Sequence, residues 1–70
     1  MSVLKVVEIM GNSKESFEDA VNNIVKETSK TVRNIKSVYV KDMQVCVKNN
    51  QISEYRVNAK VTFGIDGDNS

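Results

Sequence analysis

From Tyr55 to Ile65 the chain alternates without a break. Tyr55, Val57, Ala59, Val61, Phe63 and Ile65 are apolar, and Arg56, Asn58, Lys60, Thr62 and Gly64 stand between them. A period of two over this length predicts a strand with one apolar and one polar face. The expected strand, about Gln51 to Ile65, spans ~45 Å or more at ~3.3 Å per residue. One segment elsewhere has a helical period. Phe17, Ala20, Val21, Ile24, Val25, Thr28 and Val32 step by three and four, while Lys14, Glu18, Asn22, Lys26, Ser29, Lys30 and Arg33 fill the other side. A helix of about twenty residues reaches ~30 Å. It is too short to shield the whole apolar face of such a strand, so Phe63 and Ile65 are expected to overhang and to be buried by a neighbouring subunit.

The remaining segments complete a β-α-β-β order. Val3 to Met10 is β-branched and apolar and predicts a first strand, ended by Gly11-Asn12. Asn12 with Glu15 has capping-box spacing, and Ser13 is an alternative cap. Ile35 to Lys48 predicts the second strand. Its apolar residues fall on even positions at Val38 and Val40 and on odd ones at Met43, Val45 and Val47, so a bulge or bend is expected near Lys41-Asp42. Asn49-Asn50 predicts the hairpin turn, because Asn tolerates positive φ. Residues 1–66 form one domain on this reading, and 67–70 a flexible C-terminal tail.

Size makes the uncovered surface important. A chain of 70 residues rarely builds a core worth more than ~3–5 kcal/mol without a staple. Cys46 is the one cysteine and histidine is absent, which excludes an intrachain disulfide and the usual zinc site. Association with further copies is the staple that remains, in closed symmetry by preference. No signal peptide is expected, since Lys5 and Glu8 interrupt the first apolar run, and no stretch is long enough to span a membrane. The default location is the cytoplasm. Ten basic and nine acidic residues give a net charge of +1, which supplies no general pull toward nucleic acid or lipid. Without histidine, and with Cys46 in a strand lacking an evident base, no nucleophile–base set appears, so an enzyme is not expected. Asp66 and Asp68 do not make an ordered calcium cage, and no metal site is expected.

The polar side of the sheet is the place left for a ligand or a subunit contact. If Val38, Val40, Tyr55 and Val57 face the helix, then Ser37, Tyr39, Arg56, Asn58 and Lys60 share the opposite face. The bland reading of such a face is a solvated or inter-subunit surface.

Three stretches in this order resemble the dodecins: Gly11-Asn12-Ser13-Lys14-Glu15-Ser16-Phe17 before the helix, Thr31-Val32-Arg33-Asn34-Ile35 after it, and the long hairpin with Tyr55 to Phe63. The likeness needs no gap and covers nearly the whole chain. It implies an α+β fold in which a three-stranded antiparallel sheet wraps one amphipathic helix. It further implies a homododecamer of cubic symmetry and a role in flavin storage or sequestration. In that family riboflavin, FMN or lumichrome stacks in pairs at two-fold axes between subunits, and some members bind coenzyme A or calcium. Carried onto this sequence, the family's ligand positions fall on Ser37 and Arg56; Tyr39, a substitute ring ~7 Å further along the strand, and Asn58 share their face and complete the expected cofactor-binding set.

Two of these depart from the family pattern. Ser37 stands where the family has a stacking tryptophan, and Arg56 where it commonly has glutamine. One aromatic stack on a heterocycle is worth ~1–3 kcal/mol, so its loss weakens binding by about tenfold to a hundredfold. A guanidinium donates only. It suits a phosphate or an ion pair with Glu54 or Asp42 of a neighbour better than a flavin imide. Two functions follow: a flavin-binding module with an altered site, or a dodecin-type shell that serves as an assembly or holds another small anion.

Overall fold

A computed structural model of the chain describes residues 3–65 and contains strand β1 (Leu4–Ser13), helix α1 (Phe17–Thr28), strand β2 (Ile35–Lys48) and strand β3 (Gln51–Gly64). β3 is central, with β1 and β2 antiparallel on either side. The expected tail, with Asp66 and Asp68, lies outside the described residues.

The chain enters the helix later than its cap spacing predicted. β1 does not stop at Gly11-Asn12 but pairs with β3 as far as Ser13, opposite Tyr55. The N-cap is Ser16, an extended residue whose hydroxyl accepts from the Asp19 amide at 3.0 Å. Ser13 braces the turn: its hydroxyl accepts from the Glu15 amide at 2.8 Å and donates to Asp19 Oδ2 at 2.6 Å. Gly11 explains how the strand runs on beneath the helix. A Cβ there would sit 2.5 Å from Ile24 Cγ1 and 3.0 Å from the Ala20 carbonyl oxygen, so only glycine permits this approach.

The helix is shorter than its apolar spacing suggested. It closes after Thr28, with the Thr31 and Val32 amides both donating to the Thr28 carbonyl. Val32 and Arg33 therefore lie past its end, and Asn34 turns the chain at φ 54°.

Ala20, Ile24, Val57, Ala59 and Val61 form the buried core, with Val7, Ile9, Phe17, Val21, Val38, Val40 and Phe63 packed around it. The Phe17 and Tyr55 rings meet edge to face at 5.1 Å. Phe63 therefore belongs to the covered end of the sheet, contrary to the expected overhang there, while Ile65 is exposed.

The unshielded apolar surface is at the hairpin end instead. Twelve residues of helix cover ~18 Å, against ~46 Å for the fourteen residues of β3. Met43 and Val45 pair with Val57 and Tyr55, so they share the helix-side face, yet both are exposed, as are Val47 and Ile52. The long axis of the chain measures 50 Å.

The expected bulge is present: the pairing of β2 with β3 shifts between Val40 and Asp42, leaving Lys41 over. Two further shifts, between Ile35 and Ser37 and between Cys46 and Val47, were not anticipated. Asn49 and Asn50 take φ 54° and 60°, as a two-residue hairpin turn requires.

Candidate ligand-binding face

The bulge at Lys41 decides which side chains of β2 point away from the helix. Before it, Ser37 stands opposite Thr62 and Tyr39 opposite Lys60; after it, Asp42 stands opposite Asn58 and Gln44 opposite Arg56. Cross-strand partners share a face, and Arg56, Asn58, Lys60 and Thr62 alternate with the buried Val57, Ala59 and Val61. All four residues expected from the sequence, Ser37, Tyr39, Arg56 and Asn58, thus lie on the face the helix leaves open. Without the bulge Asp42 and Gln44 would have turned toward the core.

Within one chain these four do not form a single cluster. Tyr39 is level with Lys60, two residues from Asn58, and Asn58 is two residues from Arg56. Ser37 is level with Thr62, six residues along β3 from Arg56, a separation of ~20 Å. One ring cannot touch both Ser37 and Arg56 of the same chain. Ser37 is exposed, and Tyr39 is, among the described residues, the most open large apolar side chain at 67%.

The polar groups are largely occupied with one another. Asn58 Nδ2 donates to Asp42 Oδ1 at 2.8 Å. Arg56 Nη2 lies 3.6 Å from Glu54 Oε2, and the other oxygen of Glu54 accepts from Asn12 Nδ2 at 3.0 Å. The ion-pair partner of Arg56 is therefore in its own chain. Arg56 Nε, in contrast, is buried with no partner, a donor that costs free energy until something accepts from it. Lys41, the bulge residue, reaches across β3 to Glu8 at 3.1 Å. The hydrogen bond it donates to Glu8, and next the carboxylate's charge, raise the Lys41 ammonium above the usual lysine value.

Sequence reasoning missed the part that Glu54, Asn12 and Asp42 play within this chain. The spacing of Glu54 two residues from Arg56 on an alternating strand was the available signal. It also missed a groove of about 370 Å³ between α1 and the β1 edge, lined by Ile9, Met10, Gly11, Asn12, Asn23 and Ile24 among others. That groove contains none of the four expected residues. Among the described residues no cluster of three or more His, Cys, Asp or Glu could hold a metal ion, and no helix is long and apolar enough to cross a membrane.

The residues present meet a flat polar heterocycle part of the way. Tyr39 offers an open ring and Arg56 a partly exposed guanidinium, but Ser37 adds no second stacking surface.

An antiparallel β1-β3-β2 sheet with one helix across one face and an open polar face on the other defines a small α+β protein of one layer of helix on one layer of sheet. The family model described as Dodecin matches residues 3–66, and the chain belongs to the dodecin family. Solved structures agree. Dodecin from Streptomyces davaonensis is 28% identical, with a TM-score of 0.89 over 93% of this chain and 96% of that one. A Thermus thermophilus dodecin, a variant with a tryptophan changed to phenylalanine, is 29% identical, with a TM-score of 0.89 over 94% and 98%. The calcium-chelating immunodominant antigen of Mycobacterium tuberculosis, a calcium dodecin, is 30% identical, with a TM-score of 0.82 over 94% of each chain. A search of curated proteins finds no match.

Proposed function

We propose that this chain is a non-enzymatic binding protein that assembles with copies of itself, as a dodecamer, and holds a flavin such as riboflavin, FMN or lumichrome between paired open faces. Ser37, Tyr39, Arg56 and Asn58 line the site, and the role is storage or sequestration in the cytoplasm. One observation carries the reading. The face free of the helix presents an open aromatic ring at Tyr39 and the partly exposed guanidinium of Arg56, on the strands where the family resemblance locates its ligand.

Flavin supplies a flat conjugated ring when bound; the chain's part is to stack and orient it. Tyr39 is the stacking group this chain possesses, Asn58 is fixed by Asp42, and the partly exposed Arg56 guanidinium donates to a ring carbonyl. Because Ser37 and Arg56 of one chain are ~20 Å apart, a site using both draws them from different copies. With one stack missing, affinity is about tenfold to a hundredfold below that of a site with an aromatic residue at position 37.

Titration of riboflavin and of FMN, followed by fluorescence quenching, tests this. Quenching that saturates, and tightens by about tenfold or more in Ser37→Trp, is the expected result. A Ser37→Trp protein that assembles normally yet binds neither flavin refutes the site.

A further inference from the structure

The open face is nearly charge-balanced around the proposed site, and the balance depends on one residue. Arg56, Lys41 and Lys60 bring three cations to it; Glu54, Glu8 and Asp42 bring three carboxylates. Arg56 and Glu54 are both sheltered, with 31% and 30% of their side chains exposed. An ion pair this sheltered is less screened than one on an open surface. Asn12 fixes the second oxygen of Glu54 from the neighbouring strand, so the carboxylate is held from two sides and does not swing away from the guanidinium.

A lone arginine on this face would suit a phosphate, since the guanidinium fork matches phosphate oxygens. Glu54 removes that option. Its carboxylate lies 3.6 Å from Nη2, so the guanidinium keeps its donors but has little net charge behind them. Donors whose charge is already offset suit a neutral carbonyl oxygen. A phosphate brought to the same place would meet the Glu54 carboxylate within a few ångströms and would have to displace it.

We infer that Glu54 is a specificity-determining residue which, by neutralising Arg56, makes the site select uncharged ring ligands over their phosphate-bearing counterparts. This rests on the reading of the open face as a flavin site. Glu54 acts through Arg56 and is a positioning residue; it does not itself hold the ring.

The test compares riboflavin, which is uncharged, with FMN, which carries the phosphate. Dissociation constants for both are measured by fluorescence quenching on the assembled wild type, on Ser37→Trp, and on Ser37→Trp carrying Glu54→Gln or Glu54→Asp. With Glu54 intact, FMN binds no more tightly than riboflavin. Glu54→Gln keeps an acceptor for Asn12 but drops the charge, and raises FMN affinity relative to riboflavin by about threefold to tenfold, the range that removing one unit charge at several ångströms gives at effective dielectrics toward that of water. Glu54→Asp keeps the original ratio. The inference is overturned if FMN is preferred while Glu54 is intact, or if Glu54→Gln moves both affinities by the same factor, as a merely structural role would. If the assembled Ser37→Trp protein binds neither flavin, the site itself is refuted and the role of Glu54 with it.

Discussion

Gly11→Ala is the sharpest test of how the helix is seated. The added methyl would lie 2.5 Å from Ile24 Cγ1, 3.1 Å from Ile24 Cδ1 and 3.0 Å from the Ala20 carbonyl oxygen. Ordinary carbon contacts begin near ~3.5 Å, so about an ångström must be found. Ile24 is 2% exposed and belongs to the buried cluster with Ala59 and Val61, so its side chain yields only by disturbing that packing. The Ala20 oxygen is backbone and moves only with the helix. The helix must therefore lift from β1, and overpacking of this kind costs ~1–3 kcal/mol. For a domain of this length that lowers the melting temperature by about 5–20 °C. Thermal unfolding is compared at equal chain concentration, because assembly makes the midpoint concentration-dependent. A double-mutant cycle with Ile24→Ala makes the assay specific. Ile24→Ala alone costs ~2–5 kcal/mol, but in the Gly11→Ala background it also removes the clash, and the coupling should be ~0.5–3 kcal/mol in the compensating direction. A Gly11→Ala protein within ~0.5 kcal/mol of wild type, a typical surface effect, or an additive cycle, refutes the close approach.

Four further outcomes are expected. Val47→Lys with Ile52→Lys places charge on the uncovered hairpin end and should lower the mass in sedimentation while circular dichroism keeps the strands; an unchanged mass would show that this surface is not used in assembly. Ser16→Ala removes the N-cap bond to Asp19 and should cost ~1 kcal/mol in denaturant unfolding, whereas Asn12→Ala should not act as a cap loss. Asn50→Gly, at φ 60°, should be neutral or stabilising by a few tenths of a kcal/mol, about what an Asn-Gly hairpin gains; a clear loss would mean that the Asn50 side chain has a role beyond the turn. The Lys41–Glu8 pair raises the folded-state value of a lysine, so its contribution is fully present below the ordinary lysine pKa and fades as pH rises through the raised one. Stability measured from pH 9 to 12 in wild type and Lys41→Met should converge at the alkaline end, and curves that diverge there would contradict the sign.

Much of this was legible in the sequence because the central strand states its own two faces. The alternation from Tyr55 to Phe63 identifies the core side, and once β2 is laid against it the phase change at Lys41 has to be a bulge. The same reasoning, carried further, would have found the bulge before Ser37: Ile35 and Val38 are apolar on opposite parities, yet their partners Phe63 and Val61 share a face. The helix ends were not legible for a different reason. Asn12, Ser13 and Ser16 each satisfy a capping spacing, and the choice among them is made by tertiary packing at Gly11, which no local pattern records. Val32 keeps the helical period but lies past Thr28, so periodicity alone overran the end. Of the site, the residues that share the open face were readable from alternation, whereas the pairing of Arg56 with Glu54 inside one chain was not, because an ion pair within the chain and one between chains have the same spacing.

The two open surfaces have different consequences because they lie on opposite sides of one sheet. On the helix side, Met43 and Val45, with Val47 and Ile52 nearby, are apolar and exposed at the end that a helix of ~18 Å does not reach. Burial of such side chains yields roughly 1.5–3 kcal/mol each, comparable in sum to the modest stability expected of a core this small. In the proposed assembly that surface would drive association whatever the ligand. On the other side, charges are balanced and side chains largely hydrogen-bonded, so the face contributes little drive of its own and remains available for selectivity. Assembly and binding are then separable. Changes at the hairpin end should remove both, since the proposed site draws Ser37 and Arg56 from different copies, whereas changes at Ser37 or Glu54 should alter binding in an intact assembly. A hairpin-end variant that becomes monomeric yet still binds flavin with unchanged affinity would contradict that order of dependence.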